Sequence, residues 1–239
     1  MTEEQPRVFA ISDLHLPGGE DKSMDLFGLH WQDHFMKISA DWAARVRGCD
    51  IVLLPGDITW AMRLEDALPD LSAIGNLPGI KIMIKGNHDF WWSSLARVRA
   101  SLPEGFYAIQ NDAVLLGDIV FCGSRGWNTP SEDPDNPETQ KIYQRELLRL
   151  EMSLQQARRI GQDKRLIALC HFPPCSIRGE DTPVTALLEA YGAGDVVYGH
   201  LHGPACASGF NGIKNGIRYW FTSCDCVKFR LVALEQTEV

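Results

Sequence analysis

Short apolar runs rich in β-branched residues recur along the chain, and each ends in a polar or glycine-containing turn. Val8-Phe9-Ala10-Ile11-Ser12, Ile51-Val52-Leu53-Leu54 and Ile80-Lys81-Ile82-Met83-Ile84 predict three buried strands. The stretches 31–47, 63–75 and 91–101 carry apolar residues at helical intervals, with Trp31, Phe35, Ile38 and Trp42 forming one stripe. The first half therefore reads as βαβαβα. Over 106–123 the rhythm changes, because short strands follow one another too closely for a crossover helix and a turn at Gly117-Asp118 predicts a hairpin. A loop rich in Pro, Asp and Asn at 124–137 leads to a long amphipathic helix near 138–160. Leu166-Ile167-Ala168-Leu169-Cys170 resumes the strand pattern, followed by a helix near 184–191 and a strand at Asp195-Val196-Val197-Tyr198. The tail, 205–234, predicts a β-meander with a turn at Asn211-Gly212. No repeat or linker divides the pattern, so it predicts one α/β domain over 1–239 with a mixed sheet.

Composition narrows the functional classes. The 239 residues are 45% hydrophobic and 23% charged, which suits a folded core, and their net charge is −8. That balance argues against an extended nucleic-acid surface or binding to anionic lipid. No apolar run approaches the roughly 18 residues of a membrane span, and the start, Met-Thr-Glu-Glu-Gln-Pro-Arg, lacks the apolar segment of a signal peptide. A cytoplasmic protein with no membrane partner is expected. Seven cysteines, an odd number at irregular spacing, predict reduced thiols rather than a disulfide framework.

The chemistry stands at the strand ends. The first strand runs into Asp13-Leu14-His15, the second into Gly56-Asp57 and the third into Gly86-Asn87-His88-Asp89. The strand after the long helix runs into His171, and the next into Gly199-His200-Leu201-His202. Ligands of open α/β sheets collect at the carboxyl ends of strands, so these five segments can converge on one crevice. Carboxylate, imidazole and amide oxygen are ligands for a borderline divalent ion, which favours Mn, Fe or Zn over a soft-metal site. Asp13, His15, Asp57, Asn87, His171, His200 and His202 are too many for one ion. They fit two ions about 3.5–4 Å apart that share a carboxylate, bind a bridging hydroxide and clamp the attacking and leaving oxygens of a phosphoryl centre.

The ordered set Asp-x-His, Gly-Asp, Gly-Asn-His-Asp, His and Gly-His-x-His, spanning residues 13 to 202, resembles the calcineurin-like metallophosphoesterase superfamily. The resemblance implies an α/β/β/α sandwich of two mixed sheets flanked by helices. It also implies Asp13, His15, Asp57 and His202 on one metal, and Asp57, Asn87, His171 and His200 on the other, with Asp57 as the bridge. It further implies that His88 is not a ligand and stands beside the metals; from that place an imidazole is expected to act as general acid for the leaving oxygen. Met24-Asp25-Leu26-Phe27-Gly28, the segment Pro55 to Met62 and Lys85 to Trp92 resemble a bacterial branch of predicted phosphohydrolases, which carries no substrate. The serine/threonine protein phosphatases of the superfamily follow Gly-Asp with Asp-Arg-Gly. Here those positions read Trp60, Ala61 and Met62, which argues against that activity and leaves Asp89 as the candidate to orient His88.

Other residues admit plainer readings. His30 and His34 are spaced i, i+4 but frame Trp-Gln-Asp, so they are expected on the surface or a pocket wall. Cys224-Asp225-Cys226 reads as structural, since alternate side chains in a strand point to opposite faces. Trp60, Trp91, Trp92 and Trp127 fall near the motifs and are either core or the wall of a pocket for a flat substrate. Arg125 and Arg178 follow strand ends and are candidates to bind substrate phosphate. The function expected is hydrolysis of a phosphomono- or phosphodiester in a small phosphorylated substrate. Two alternatives stand beside it: a metal-binding docking scaffold of the same fold without turnover, and a metal-dependent amidohydrolase. The latter is disfavoured because such enzymes open with His-x-His.

Overall fold

Residues 5–19, 24–129 and 136–234 are described by a computed structural model. Among them the chain forms two mixed sheets. The first has the order β11 (Val232–Ala233), β1 (Val8–Ala10), β2 (Ile51–Leu54), β3 (Ile80–Met83) and β4 (Phe106–Ala108). In it β1 to β4 run parallel, and β11 closes the edge antiparallel to β1. The second has the order β5 (Ala113–Leu116), β6 (Ile119–Ser124), β7 (Arg165–Cys170), β8 (Asp195–Tyr198), β10 (Ile217–Phe221) and β9 (Gly212–Lys214). Its four central strands are parallel, and the hairpin partners β5 and β9 are its antiparallel edges.

The continuous apolar strands make sense because both faces of each sheet are covered. In β1 and β2, Phe9, Val52 and Leu54 pack with Ile38 and Trp42 of α1 (His34–Arg45), Leu71 and Ile74 of α2 (Leu64–Gly75) and Val98 of α3 (Leu95–Ser101). Val120, Cys122, Leu166 and Ala168 pack with Leu150, Leu154 and Ala157 of α4 (Pro137–Ile160) and Leu188 of α5 (Pro183–Ala190). The alternate residues Val8, Ala10, Ile51, Leu53, Phe121, Ile167 and Leu169 meet in a third core between the sheets. These three cores define an α/β/β/α sandwich. Among the described residues no helix is long and apolar enough to cross a membrane.

Three sequence expectations are corrected. Residues 106–108, read as part of a hairpin, pair parallel with β3, so the hairpin is β5–β6 alone. The tail is no meander: β10 lies parallel to β8, and β11 crosses to the first sheet. Its tight turn falls at the second of two Asn-Gly pairs, Asn215-Gly216, whose φ values of 49° and 81° are both left-handed as a two-residue hairpin requires. Finally, Cys206 and Cys226 form a disulfide, leaving five free cysteines. Neither an odd count nor irregular spacing shows that the fold brings residues 203–208 against the segment after β10.

Candidate metal centre

The loops that leave β1, β2, β3, β7 and β8 meet at the carboxyl ends of the two sheets. Asp13 (φ 60°), His15 (φ 46°), Asp57 (φ 53°) and His200 (φ 76°) all take left-handed backbone conformations that turn their side chains back over the strand ends. Such conformations are uncommon for residues other than glycine and concentrate at functional sites. The motif glycines have a steric reason. A Cβ on Gly86 would overlap the Asp57 carboxylate, and one on Gly199 would overlap Ser12 and the Asp13 carboxylate.

All seven predicted donors are brought together. His15 Nε2 lies 3.3 Å from His202 Nε2, and His202 Nε2 lies 3.4 Å from Asp13 Oδ1. Asp57 Oδ2 is 3.8 Å from His15 Nε2 on one side and 3.4 Å from His171 Nε2 on the other. Asn87 Oδ1 is 2.6 Å from His171 Nε2 and 3.0 Å from His200 Nδ1, which are themselves 3.3 Å apart. Asp57 thus stands between two donor groups, as a bridging carboxylate must. An ion held tetrahedrally at about 2.0–2.1 Å sets its ligands about 3.3–3.4 Å apart, so the spacing of Asp13, His15 and His202 suits divalent-ion coordination, whereas Asn87 stands at hydrogen-bond distance from His171 and His200 and would have to draw back to admit an ion.

The surroundings orient these donors. His171 Nδ1 faces the Pro55 carbonyl oxygen at 2.9 Å, and His202 Nδ1 faces Asp225 Oδ1 at 2.8 Å, leaving each Nε2 turned to the site. Asp13 accepts hydrogen bonds from Ser12 Oγ, Ser223 Oγ and the His200 backbone N–H. His15 Nδ1 is buried without a hydrogen-bond partner; its ring is instead stacked on Trp60 at 4.7 Å between centroids. Burial pushes His15 and His200 down to about 4, so both are neutral and able to ligate. Burial also acts against charge on His171 and His202, yet the carboxylates beside them carry these rings up to about 9 and about 10. Asp13 and Asp57, despite burial, are held below the usual carboxylate range by the same histidines. The two carboxylates thus draw positive charge onto the neighbouring rings, as protons that a bound metal ion would displace.

Asp225, Ser12 and Ser223 escaped sequence reasoning. Asp225 was hidden inside a CxC that reads as structural, and the two serines belong to no motif. Asp89 does not touch His88: its carboxylate accepts from the backbone N–H groups of Asp57, Ile58 and Gly86 and from Trp91 Nε1. It braces the loop after β2 instead. His88 donates its backbone N–H to Asp57 Oδ1 at 2.8 Å and packs 4.6 Å from the Trp60 ring. It lines a cavity of about 430 Å³ together with His15, His30, Trp31, Trp60 and His202. His34 bonds the Leu14 carbonyl oxygen at 2.8 Å and so steadies the Asp13–His15 loop.

Two arginines and three tryptophans lie elsewhere. Arg125 pairs with buried Glu146 at 3.3 Å, sits over Trp127 and lines a separate cavity with Lys85, Gln110 and Arg149. Arg178 is exposed in the loop after β7. Trp91 and Trp92 are buried and bond Asp89 and Gln110, so of the four tryptophans read near the motifs only Trp60 walls the cavity beside His88.

The same fold occurs in solved structures. Phosphopantetheinyl hydrolase from Mycobacterium tuberculosis is 15% identical with a TM-score of 0.58, covering 98% of both chains. The protein TT1561 of Thermus thermophilus is also 15% identical at a TM-score of 0.58, covering 96% of this chain and 98% of its own. A protein of unknown function from Aquifex aeolicus, AQ665, is 13% identical at a TM-score of 0.50, covering 96% of each chain. At these identities the likeness is one of fold. No curated protein shows significant sequence similarity to this chain. The family model for calcineurin-like phosphoesterases, however, matches residues 6–204 and takes in all five donor segments. The chain belongs to the calcineurin-like phosphoesterase family.

Proposed function

We propose that the protein is a phosphohydrolase that works with two divalent ions, Mn, Fe or Zn, on a phosphomono- or phosphodiester of a small substrate. One observation carries this reading: two donor groups meet across Asp57, and the cavity holding His88 opens beside them. Asp13, His15, Asp57 and His202 would hold one ion, and Asp57, Asn87, His171 and His200 the other. When bound, such a pair supplies Lewis-acid polarisation of a phosphoryl group and activation of water.

The chain's own residues supply orientation and a proton. Asp225 and the Pro55 carbonyl oxygen fix which nitrogen of His202 and His171 faces the site. Asp89 holds the Asp57 loop through backbone bonds, so the shared carboxylate is set by the fold before any ligand arrives. His88, tied to Asp57 through its backbone and free of any role among the donors, is placed to protonate the leaving oxygen at its imidazole nitrogen.

The test is a His88→Asn variant measured against metal content. Both ions are expected to remain. Turnover of an alkyl phosphate should fall about 10²–10⁴-fold, whereas p-nitrophenyl phosphate, whose leaving oxygen needs little proton help, should lose far less. Equal losses on the two esters, or a lost ion, overturn the general-acid role. Two bound ions without turnover of any phosphoester would identify a docking scaffold instead.

A further inference from the structure

The cavity beside His88 has a character of its own. Phe27 and the largely buried Trp31 reach it from the segment before α1, Trp60 from the loop after β2 and His88 from the loop after β3, with Met24, His30 and Pro204 adding to the wall beside the donors His15 and His202. Trp60 is fixed on two sides, stacked on His15 and donating its indole N–H to Met24 Sδ at 3.3 Å. Its indole N–H is thus already engaged, and His88 lies 4.6 Å from the same ring, so what Trp60 adds to the wall is apolar. Trp31 is packed against His202 at 5.8 Å and against Phe229 at 5.3 Å between centroids. The Asp225 carboxylate at the edge is already engaged by His202 and by the Gly203 backbone N–H. Among the described residues no Lys or Arg lines the cavity. At about 430 Å³ it falls in the size range of small-molecule pockets. The second cavity at the centre, on the His200 side, is more polar, with Asn128, Ser176, Glu180 and Asp181 in its wall beside Pro173 and Leu201.

We infer that the aromatic cavity receives the leaving group of the substrate, and that this group is flat, aromatic and uncharged. The inference rests on the phosphohydrolase reading for its direction. A general acid protonates the oxygen that departs, so the group on that oxygen lies on the side of His88, and that side is this cavity. Its chemistry rests on the walls alone. Rings contributed by three separate segments favour a planar guest by stacked and edge-on contact beyond the area they bury. A leaving group with further phosphates would enter a space without a cation among its described walls and beside a carboxylate.

The experiment uses methyl, benzyl and 2-naphthylmethyl phosphate, whose leaving oxygens are alike in basicity, on the metal-loaded protein. The ratio kcat/KM is expected to rise at least tenfold from methyl to naphthylmethyl. His30→Ser and Phe27→Ser should each reduce that preference about tenfold; both residues are exposed at the rim, Phe27 by 64%, and can be replaced without disturbing the core. In parallel, calorimetry follows 2-naphthylmethanol binding to the protein without added metal, where saturable binding weakened by both substitutions is expected. Equal kcat/KM across the three esters, or no saturable binding of the alcohol, overturns the inference. Binding of the alcohol with no turnover of any ester sinks the phosphohydrolase reading and leaves the cavity's ligand class standing.

Discussion

Four of the donor residues, Asp13, His15, Asp57 and His200, are held at positive φ, a conformation that costs about 1–3 kcal/mol at each residue outside glycine. The surrounding bonds sustain it, through the Ser12, Ser223 and His200 contacts to Asp13 and the Asp89 brace beneath Asp57. The donors were legible in the sequence because each belongs to a short motif at a strand end. Their supports were not, because a serine or aspartate that acts through another residue leaves no spacing of its own. Asp225 is the sharpest case. Asp225→Asn is expected to weaken metal binding about 10–100-fold, the usual effect of losing a carboxylate behind a ligating histidine. Competition with a chromophoric chelator measures it, and unchanged affinity for both ions would remove Asp225 from the site.

At the scale of elements, hydrophobic rhythm gave the strands and helices but not their partners. Residues 106–108 and 113–116 look alike as short apolar runs, yet β4 and β5 belong to different sheets. Pairing is decided by long-range packing that local pattern does not encode. Lys81 shows the same limit within one strand. Nothing in the apolar run around it names its partner, yet the side chain is buried and its ammonium donates to the Gly75 and Leu77 carbonyl oxygens at and just beyond the end of α2. A cation there satisfies carbonyls that the helix leaves unpaired and complements its dipole. Lys81→Met is expected to lower unfolding free energy by about 1–3 kcal/mol in urea titration, at constant m-value. No change would mean that water satisfies the helix end equally well.

At the scale of the molecule, the first sheet carries buried carboxylates at both ends of its strands. Opposite the donor cluster, Asp50 precedes β2 and is gripped by Arg7 and Arg47 through their backbone and guanidinium N–H groups. Burial alone would raise its pKa, but Arg47 and Arg7 outweigh that and hold the carboxyl well below the usual range. A depressed value contributes stability that is complete above the unfolded pKa of about 3.9 and is lost as pH falls through the folded one. Wild type should therefore exceed Asp50→Asn in stability at pH 7, and the gap should begin to narrow below about pH 4 and go on narrowing as pH falls further. A gap as wide at pH 3 as at pH 7 would show that the arginines grip the neutral acid as well.

The donors do not come from one sheet. Asp13, His15, Asp57 and Asn87 follow strands of the first, whereas His171, His200 and His202 follow strands of the second. Each ion would therefore be shared by both halves of the sandwich and act as a rivet across the seam. Folding and metal supply then become one linked equilibrium, with each site adding about 2.7 kcal/mol at a hundredfold excess over its dissociation constant. Chelation is expected to lower the melting temperature reversibly and to speed amide exchange at the carboxyl ends of both sheets together. A melting temperature indifferent to chelation would mean that the halves hold without the rivets. With them, a shortage of metal would lower the folded fraction of the protein as well as any activity the ions support.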